Sequence, residues 1–526
     1  METYSYHMFM FPFTWEAKNN KTFSNRDLAE IFETASADNQ WQRIRDNDTI
    51  LRDGIALVDA EARNYYSAYQ FFNEAARSVV FDESHNDIVT SFKLKDAFLD
   101  PQNTEYIITL KDQVLKLAVT GIYLKIFNTG IAVFYMDCEN REHRSLEQVK
   151  LINEYGRRVS LSFWPREEDG YKKCADKLSI ERDGEVLAGN DFRSFIHEAA
   201  SGKKPVSLEY ISTVIRDLLN RNGKNIAFRA KKPDNSNEIQ IRPILDGRMF
   251  VSCCIADADV ARQMKEGFCE ENNTFPEEQQ RNLVELMNID LEGNCSYVNS
   301  KERQQFLEDH LYYAEFSGKN GKLLGITEQA CVKIMEPVYD GTGILENRFE
   351  IDDHNHMYNQ IILMVVAQRM AIANFQQEIA KISCGIECSA KKVKSAQIQQ
   401  IMELQERYVA FQSQFLLYEV TAQREGTYIY NKIRQVLHIE EENEALSSRL
   451  SGVYELANIN QGYGFNKGAL VLSLVALVFT FFSALNDANS LGAVHLAGYA
   501  GYVPVAIEVI LCLLIIIYIL KIKYKR

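Results

Sequence analysis

Two apolar runs near the C-terminus constrain this chain more than any other feature of its sequence. Residues 469–485 include no charged side chain, and residues 503–520 include only Glu508. At ~1.5 Å rise per residue, a helix over the first run would be about 26 Å long, close to the ~30 Å hydrocarbon core of a bilayer. The sequence therefore predicts a two-helix transmembrane hairpin within residues 466–526.

The charges around these runs predict an orientation. The last six residues contain Lys521, Lys523, Lys525 and Arg526, whereas the connection 486–502 contains neither Lys nor Arg. Positive charge is retained in the cytoplasm, so the tail is expected there, and two crossings return the N-terminus to the same side. We expect a multi-pass protein of the cell membrane with both termini cytoplasmic.

Small and polar residues recur at spacings of three and four along the first run, which places them on one helical face. Such a face can pack closely against another helix, or it can line an aqueous path formed by several copies of the chain. The second interpretation requires a homo-oligomer. Its predicted pore-lining residues are Asn466, Ser473, Thr480, Ser483 and Asp487.

The remainder of the 526 residues has the composition of a folded protein, with 46% apolar residues and a net charge of −14. That charge argues against direct binding of nucleic acid, which favours a basic surface. Short runs with a period of two, such as 105–111, 121–127 and 131–136, predict strands, and Asn128-Thr129-Gly130 predicts a hairpin turn. A helix is predicted over 146–155. Residues 1–345 are expected to form an α+β cytosolic ligand-sensing domain.

A long helical segment is predicted to connect this domain to the hairpin. No proline occurs between Pro337 and Pro504, and apolar residues after position 352 follow a three-four repeat. This period is typical of packed long helices. We expect residues 346–465 to form a helical stalk.

No catalytic constellation is recognisable, so the chain is not expected to be an enzyme. Asp352, His354 and His356 could bind a metal ion or simply begin a helix, and we predict no metal site. Arg157 and Arg158 follow a predicted helix end; arginine forks match phosphate oxygens, but they could also pair with surface carboxylates. With Asn128 and Arg248, they are the predicted ligand-binding residues.

The predicted layout resembles the CorA divalent-cation channels, which are homopentamers whose first span lines the pore. Those channels carry Gly-Met-Asn directly after the first span. Here that position reads Asn486-Asp487-Ala488-Asn489. Selective transport of magnesium is therefore not implied by the resemblance.

Segments 121–130, 152–158 and 246–251 together resemble a narrower group, the CorA-like membrane effectors that accompany type III CRISPR systems in bacteria. The resemblance implies a homo-oligomer, a pentamer as in CorA, in the bacterial inner membrane. It also implies a channel opened by the nucleotide second messenger SAM-AMP, with no other cofactor. The alternatives are a divalent-cation transporter of the CorA type and a non-conducting membrane-anchored scaffold or enzyme.

Overall fold

The computed structural model describes most of the chain up to residue 455. The described residues are 2–17, 24–34, 36–44, 57, 60–83, 87–161, 174–202, 213–223, 227–229, 238–245, 247–269, 271–272, 274–291, 299–315, 321–340, 342, 345–385, 395–455, 473, 476, 480 and 483. They belong to two units. The larger unit comprises Met1–Lys381 and Glu403–Ser448, and the smaller comprises Ile382–Met402 and Arg449–Arg526.

One mixed sheet of 14 strands organises the larger unit. In chain order the strands are β1 Ser5–Ala17, β2 Trp41–Arg43, β3 Val89–Leu94, β4 Thr104–Thr109, β5 Val114–Phe127, β6 Ala132–Asn140, β7 Lys177–Arg182, β8 Glu185–Asp191, β9 Ala227–Arg229, β10 Glu238–Pro243, β11 Phe250–Ala256, β12 Leu311–Glu315, β13 Lys322–Ile326 and β14 Ala330–Met335. The main path runs β12-β13-β14-β11-β1-β6-β5-β4-β7-β8.

Two long strands at the centre of the sheet each pair with several neighbours. One edge of β1 pairs with β6, and its other edge pairs with β11 and then β10. Likewise β5 pairs with β6 on one edge and with β4 and β3 on the other. The backbone of each central strand is covered by its neighbours on both edges. Any solvent exposure of a residue in these strands is therefore exposure of its side chain.

Helices cover both faces of this sheet, as expected for a sheet with apolar residues on each side. They are α1 Asn25–Glu33, α2 Ala60–Phe71, α3 Glu74–Val80, α4 Asp96–Leu99, α5 Leu146–Gly156, α6 Phe192–Ala200, α7 Thr213–Leu219, α8 Ala258–Lys265, α9 Glu277–Asn288, α10 Ser300–His310, α11 Arg348–Asp352, a π-helix Asp353–Tyr358, α12 Asn359–Gly385, α13 Ser395–Gln414 and α14 Arg424–Val436.

The first face of the sheet carries the largest apolar core. Phe9, Phe11 and Phe13 of β1 are all buried there and pack with α5, whose Val149 and Ile152 are buried in the same cluster. We call this the α5 face. The opposite face is covered by the π-helix and α12, and we call it the α12 face.

The predicted hairpin at Asn128-Thr129-Gly130 is confirmed, because β5 and β6 pair antiparallel on either side of it. Gly130 has a φ of 85°, a conformation that glycine adopts at little cost. The predicted helix over 146–155 is α5. Its end differs in detail: Gly156 is still helical, and its missing Cβ leaves room for Phe9 and Ile108, 3.1 Å from the place a Cβ would occupy.

The prediction of a helical stalk is wrong for the residues that the structure describes within 346–465. Residues of α12 from Ile361 to Ala367 are all buried, so this helix is enclosed around its whole circumference. The Gln377 amide donates to the carbonyl of Ile244, and the Phe415 ring lies 5.3 Å from that of Phe127 in β5. An apolar helix of this kind is stabilised by packing on the sheet and not by extending away from it.

The prediction of a transmembrane hairpin is also corrected, and nearly all of residues 466–526 lie outside the described parts of the chain. Within the described parts of the chain, no helix combines the length and the apolar character needed to cross a bilayer. The longest, α12, interrupts its apolar run with Gln368, Arg369 and Asn374, and the Gln368 amide donates to the carbonyl of Phe415. The same finding removes the support for placing the chain in the inner membrane and for describing it as a membrane protein or ion channel.

Candidate functional site

The structure brings three of the four predicted ligand-binding residues together. Arg157 and Arg158 follow α5, and the Met249 amide, next to Arg248, donates to the carbonyl of Arg157 at 2.9 Å. The Arg157 side chain is 3% exposed, and its Nη2 donates to the carbonyl of Ile289 at the end of α9. Such a guanidinium satisfies a helix C-terminus from within the core.

Arg158 is paired in the same region. Its Nε donates to Oε1 of Glu154 at 2.6 Å, four residues earlier on α5. Burial raises the pKa of Glu154, and the two arginines oppose that shift. This pairing corresponds to the second interpretation of the sequence, in which the arginines bind carboxylates of the protein itself.

Asn128 lies elsewhere, at the turn between β5 and β6. Its Nδ2 donates to Oε1 of Gln414 in α13, and Arg407 of the same helix donates to the carbonyl of Thr129. Arg407 is held by Glu378 of α12 at 2.8 Å. The turn therefore attaches the sheet to two helices.

Two of the five predicted pore-lining residues lie in parts of the chain outside the described residues. Asn466 and Asp487 belong to those parts. Ser473, Thr480 and Ser483 are helical and exposed, and the Thr480 hydroxyl donates to the carbonyl of Ala476. Their role in lining a pore stays a prediction.

The histidine-rich segment at 352–356 forms the π-helix. Its extra residue per turn directs His354 toward the sheet, where Nε2 lies 3.1 Å from the Ser252 hydroxyl, while His356 contacts Asn64 of α2. Burial lowers the pKa of His354 to about 3. Over the described residues, no group of three or more His, Cys, Asp or Glu side chains is arranged to hold a metal ion.

A second constellation has the residue types of a hydrolase triad. Nδ1 of His7 donates to Oδ1 of Asn153 at 2.8 Å, and its Nε2 accepts from the Ser5 hydroxyl at 2.9 Å. All three side chains are at most 2% exposed and lie on the α5 face. Because no substrate can reach a hydroxyl buried in this way, the network is a means of satisfying polar groups in the core.

The α12 face carries a more open polar group, built from strands β3, β5 and β6. In the register of the sheet, Lys93 lies opposite Tyr123, Tyr123 opposite Tyr135, and Gly121 opposite Asp137. Opposite residues of antiparallel strands share a face, so their side chains are neighbours. We call Lys93, Tyr123, Tyr135 and Asp137 the tyrosine–aspartate site.

A β-bulge places these side chains on one face. The register of β5 against β6 shifts between Val119 and Gly121, so the residues of β5 in the main apolar core are odd-numbered before the bulge and even-numbered after it. The ring of Tyr123 lies over Gly121, where a Cβ would come within 2.5 Å of the tyrosine Cε2. Bulges commonly redirect a side chain next to a functional site.

The two tyrosine rings form a stacked pair, with centroids 4.8 Å apart and planes inclined by 14°. Tyr135 is buried, whereas Tyr123 retains partial exposure. Burial raises the pKa of Tyr135 well above its usual value, and a hydrogen bond with Gln360 of α12 opposes the shift. The pair is therefore a rigid aromatic surface, supported from beneath by α12.

Asp137 is the acidic group of the site. It retains partial exposure although β6 is paired on both edges, so the exposed part is its side chain. No described residue donates a hydrogen bond to its carboxylate. Burial raises the pKa of Asp137 to about 7, and the charge of Lys93 opposes that shift. A partly buried carboxyl group with a displaced pKa is typical of a functional site.

Lys125 lies on the same strand and face as Tyr123 but is covered. Its Nζ donates to the carbonyl of Val80 at 2.7 Å and to Oε1 of Gln360 at 2.8 Å. Burial lowers the pKa of Lys125 to about 7. Gln360 is thus a partner of both Lys125 and Tyr135, and it links α12 to the base of the site.

This site was not predicted from the sequence. Its signal was present, because polar and aromatic residues alternate with apolar ones in both 121–127 and 132–140. The α12 face of these strands is therefore not a purely apolar one. The site depends on which strands are neighbours in the sheet, and the sequence does not show this.

Comparisons with models of protein families and with curated proteins find no match for this chain.

Proposed function

We propose that this chain is a sensor of a nucleotide second messenger, with SAM-AMP as its first candidate ligand, and that the tyrosine–aspartate site binds it. The observation that carries the proposal is the carboxylate of Asp137, partly exposed beside a stacked tyrosine pair with no hydrogen-bond donor among the described residues. The resemblance to CRISPR-associated effectors supplies the ligand class. A membrane channel is not part of the proposal.

The chemistry of the site suits such a ligand. A partly exposed aromatic ring can stack on a nucleobase, which is typically worth about 1–3 kcal/mol per base. The carboxylate of Asp137 can accept from a ligand amine or attract a cationic group. Lys93, whose side chain is 12% exposed, could turn from Asp96 toward a phosphate oxygen.

The site also has a route by which a ligand could alter the fold. Tyr135 and Lys125 both contact Gln360, so a shift of the tyrosine pair would displace Gln360 at the start of α12. A ligand can shift a conformational equilibrium only by its differential affinity for the two states, and a hundredfold shift needs about 2.7 kcal/mol. One stacking contact and one ion pair made in a single state would be sufficient.

The arginine pair is the competing location. Arg157 and Arg158 already bind Ile289 and Glu154, so a phosphate would have to displace interactions inside the protein. The tyrosine–aspartate site requires no such exchange at Asp137. We therefore favour it over the location predicted from the sequence.

Isothermal titration of the purified full chain with SAM-AMP tests the proposal. We expect binding by the wild type and a loss of about tenfold or more for Tyr123→Ala, since stacking is worth about 1–3 kcal/mol. Tyr418→Ala is the matched control, because that tyrosine is 89% exposed and outside the site. Its affinity should equal that of the wild type.

Two outcomes would contradict the proposal. The first is the absence of SAM-AMP binding by a folded wild-type chain. The second is unchanged affinity in Tyr123→Ala together with lost affinity in Arg158→Ala at an unchanged melting temperature. That result would indicate that the ligand binds at Arg157 and Arg158.

A further inference from the structure

We propose that the tyrosine–aspartate site holds an organic cation, a sulfonium or substituted ammonium, between the carboxylate of Asp137 and the ring of Tyr123. This inference rests on the proposed function and deepens it, because it identifies the part of a nucleotide ligand that the site would select.

The positive charge of Lys93, which acts on Asp137, is also paired with another carboxylate. Nζ of Lys93 lies 3.0 Å from Oδ1 of Asp96, three residues away. The next acidic residue on the same face, Glu139, is 2.7 Å from Arg141. No described residue forms an ion pair with Asp137, and Lys93 is shared with Asp96, so the site has more negative than positive charge when both carboxyls are ionised. Such a charge attracts a cation and repels a phosphate.

The aromatic pair gives the second contact. The negative face of a tyrosine ring attracts cations, and the attraction grows when water is excluded. Tyr123 is kept in one orientation by stacking on Tyr135 and by the space above Gly121. A metal ion would not be satisfied here, since one carboxylate leaves most of its coordination positions empty and tyrosine rings supply no ligand.

The protonation of Asp137 should make the affinity for a cation depend on pH. The groups that face it are Lys93 from β3, Tyr123 from β5 and Met8 from β1, with Tyr135 and Glu139 on its own strand. A cation favours the ionised carboxyl, so binding should release a proton. Since burial raises the pKa of Asp137 to about 7, affinity for a cation should increase with pH up to about 7 and remain constant above it.

The test compares two ligands that differ by one methyl group and one charge. SAM-AMP carries a sulfonium, and the corresponding adduct of S-adenosylhomocysteine carries a neutral thioether. Both are titrated into the full chain, as wild type, as Asp137→Asn and as the control Asp112→Asn, which changes an exposed turn residue. Asp137→Asn should remain folded, because it removes a carboxyl whose ionisation in the folded state is unfavourable.

We expect the wild type and Asp112→Asn to prefer the sulfonium by about tenfold or more, as a desolvated cation–π contact with an ion pair implies. Asp137→Asn should bind both ligands with similar affinity and without pH dependence near 7. Binding of both ligands with equal affinity by the wild type would overturn this inference and leave the proposed function standing. Binding of neither ligand would overturn both.

Discussion

The amine of Lys125 should make the stability of this protein depend on pH in the alkaline range. It is 4% exposed, and burial lowers its pKa to about 7, whereas an unfolded lysine titrates at about 10.4. Between these values the unfolded chain binds more protons than the folded chain, so the free energy of unfolding increases with pH. At about 1.4 kcal/mol per pKa unit, the gain between pH 7 and pH 9.5 is about 3 kcal/mol.

The measurement is urea unfolding of the wild type and Lys125→Met at pH 7 and pH 9.5. Methionine retains the apolar volume but does not titrate, so other groups contribute equally to both proteins. The lost donor leaves the carbonyl of Val80 and the amide oxygen of Gln360 unsatisfied, but that cost is the same at both pH values. The difference between the two proteins should change by about 3 kcal/mol in favour of the wild type as the pH rises. A difference that does not change with pH would refute the reasoning.

Three further predictions concern other parts of the larger unit. Burial lowers the pKa of His7 to about 4, so relative to His7→Gln the wild type should lose about 2.4 kcal/mol of unfolding free energy between pH 7 and pH 4.5, measured by urea unfolding. Gly121→Ala should displace the ring of Tyr123, lower the melting temperature and weaken SAM-AMP binding measured by titration. Unchanged affinity would show that this ring does not contact the ligand. Arg157→Ala should cost about 3 kcal/mol in chemical unfolding, because it removes the donor to Ile289 and leaves a buried gap, while the folded fraction should still bind ligand.

Local features of the fold could be predicted from the sequence where one short segment contains the whole cause. The turn at Gly130 requires a positive φ, and residues 121–127 and 131–136 alternate, so the β5–β6 hairpin follows from neighbouring residues alone. The helix α5 has its N-cap in Ser145 and an apolar stripe in its own sequence. Non-local pairings left no comparable local signal.

The predicted stalk shows the opposite case. The repeat in residues after 352 correctly indicates helices, but the same period is compatible with a coiled coil, a membrane span or a helix enclosed in a core. Only the packing of α12 on the sheet decides among these. Its polar residues Gln368 and Gln377 donate hydrogen bonds to carbonyl groups that are more than 40 residues away in the sequence.

Hydrophobic period and turn chemistry act over a few residues, and they determine by themselves that this chain has helices, hairpins and apolar faces. The chemistry of a site depends on distances between segments that are far apart in the sequence. Asp137 and Lys93 are ordinary charged residues in the sequence. They lie close together only because β3 and β6 both pair with β5, and burial in this position weakens the solvation of the Asp137 carboxylate and raises its pKa.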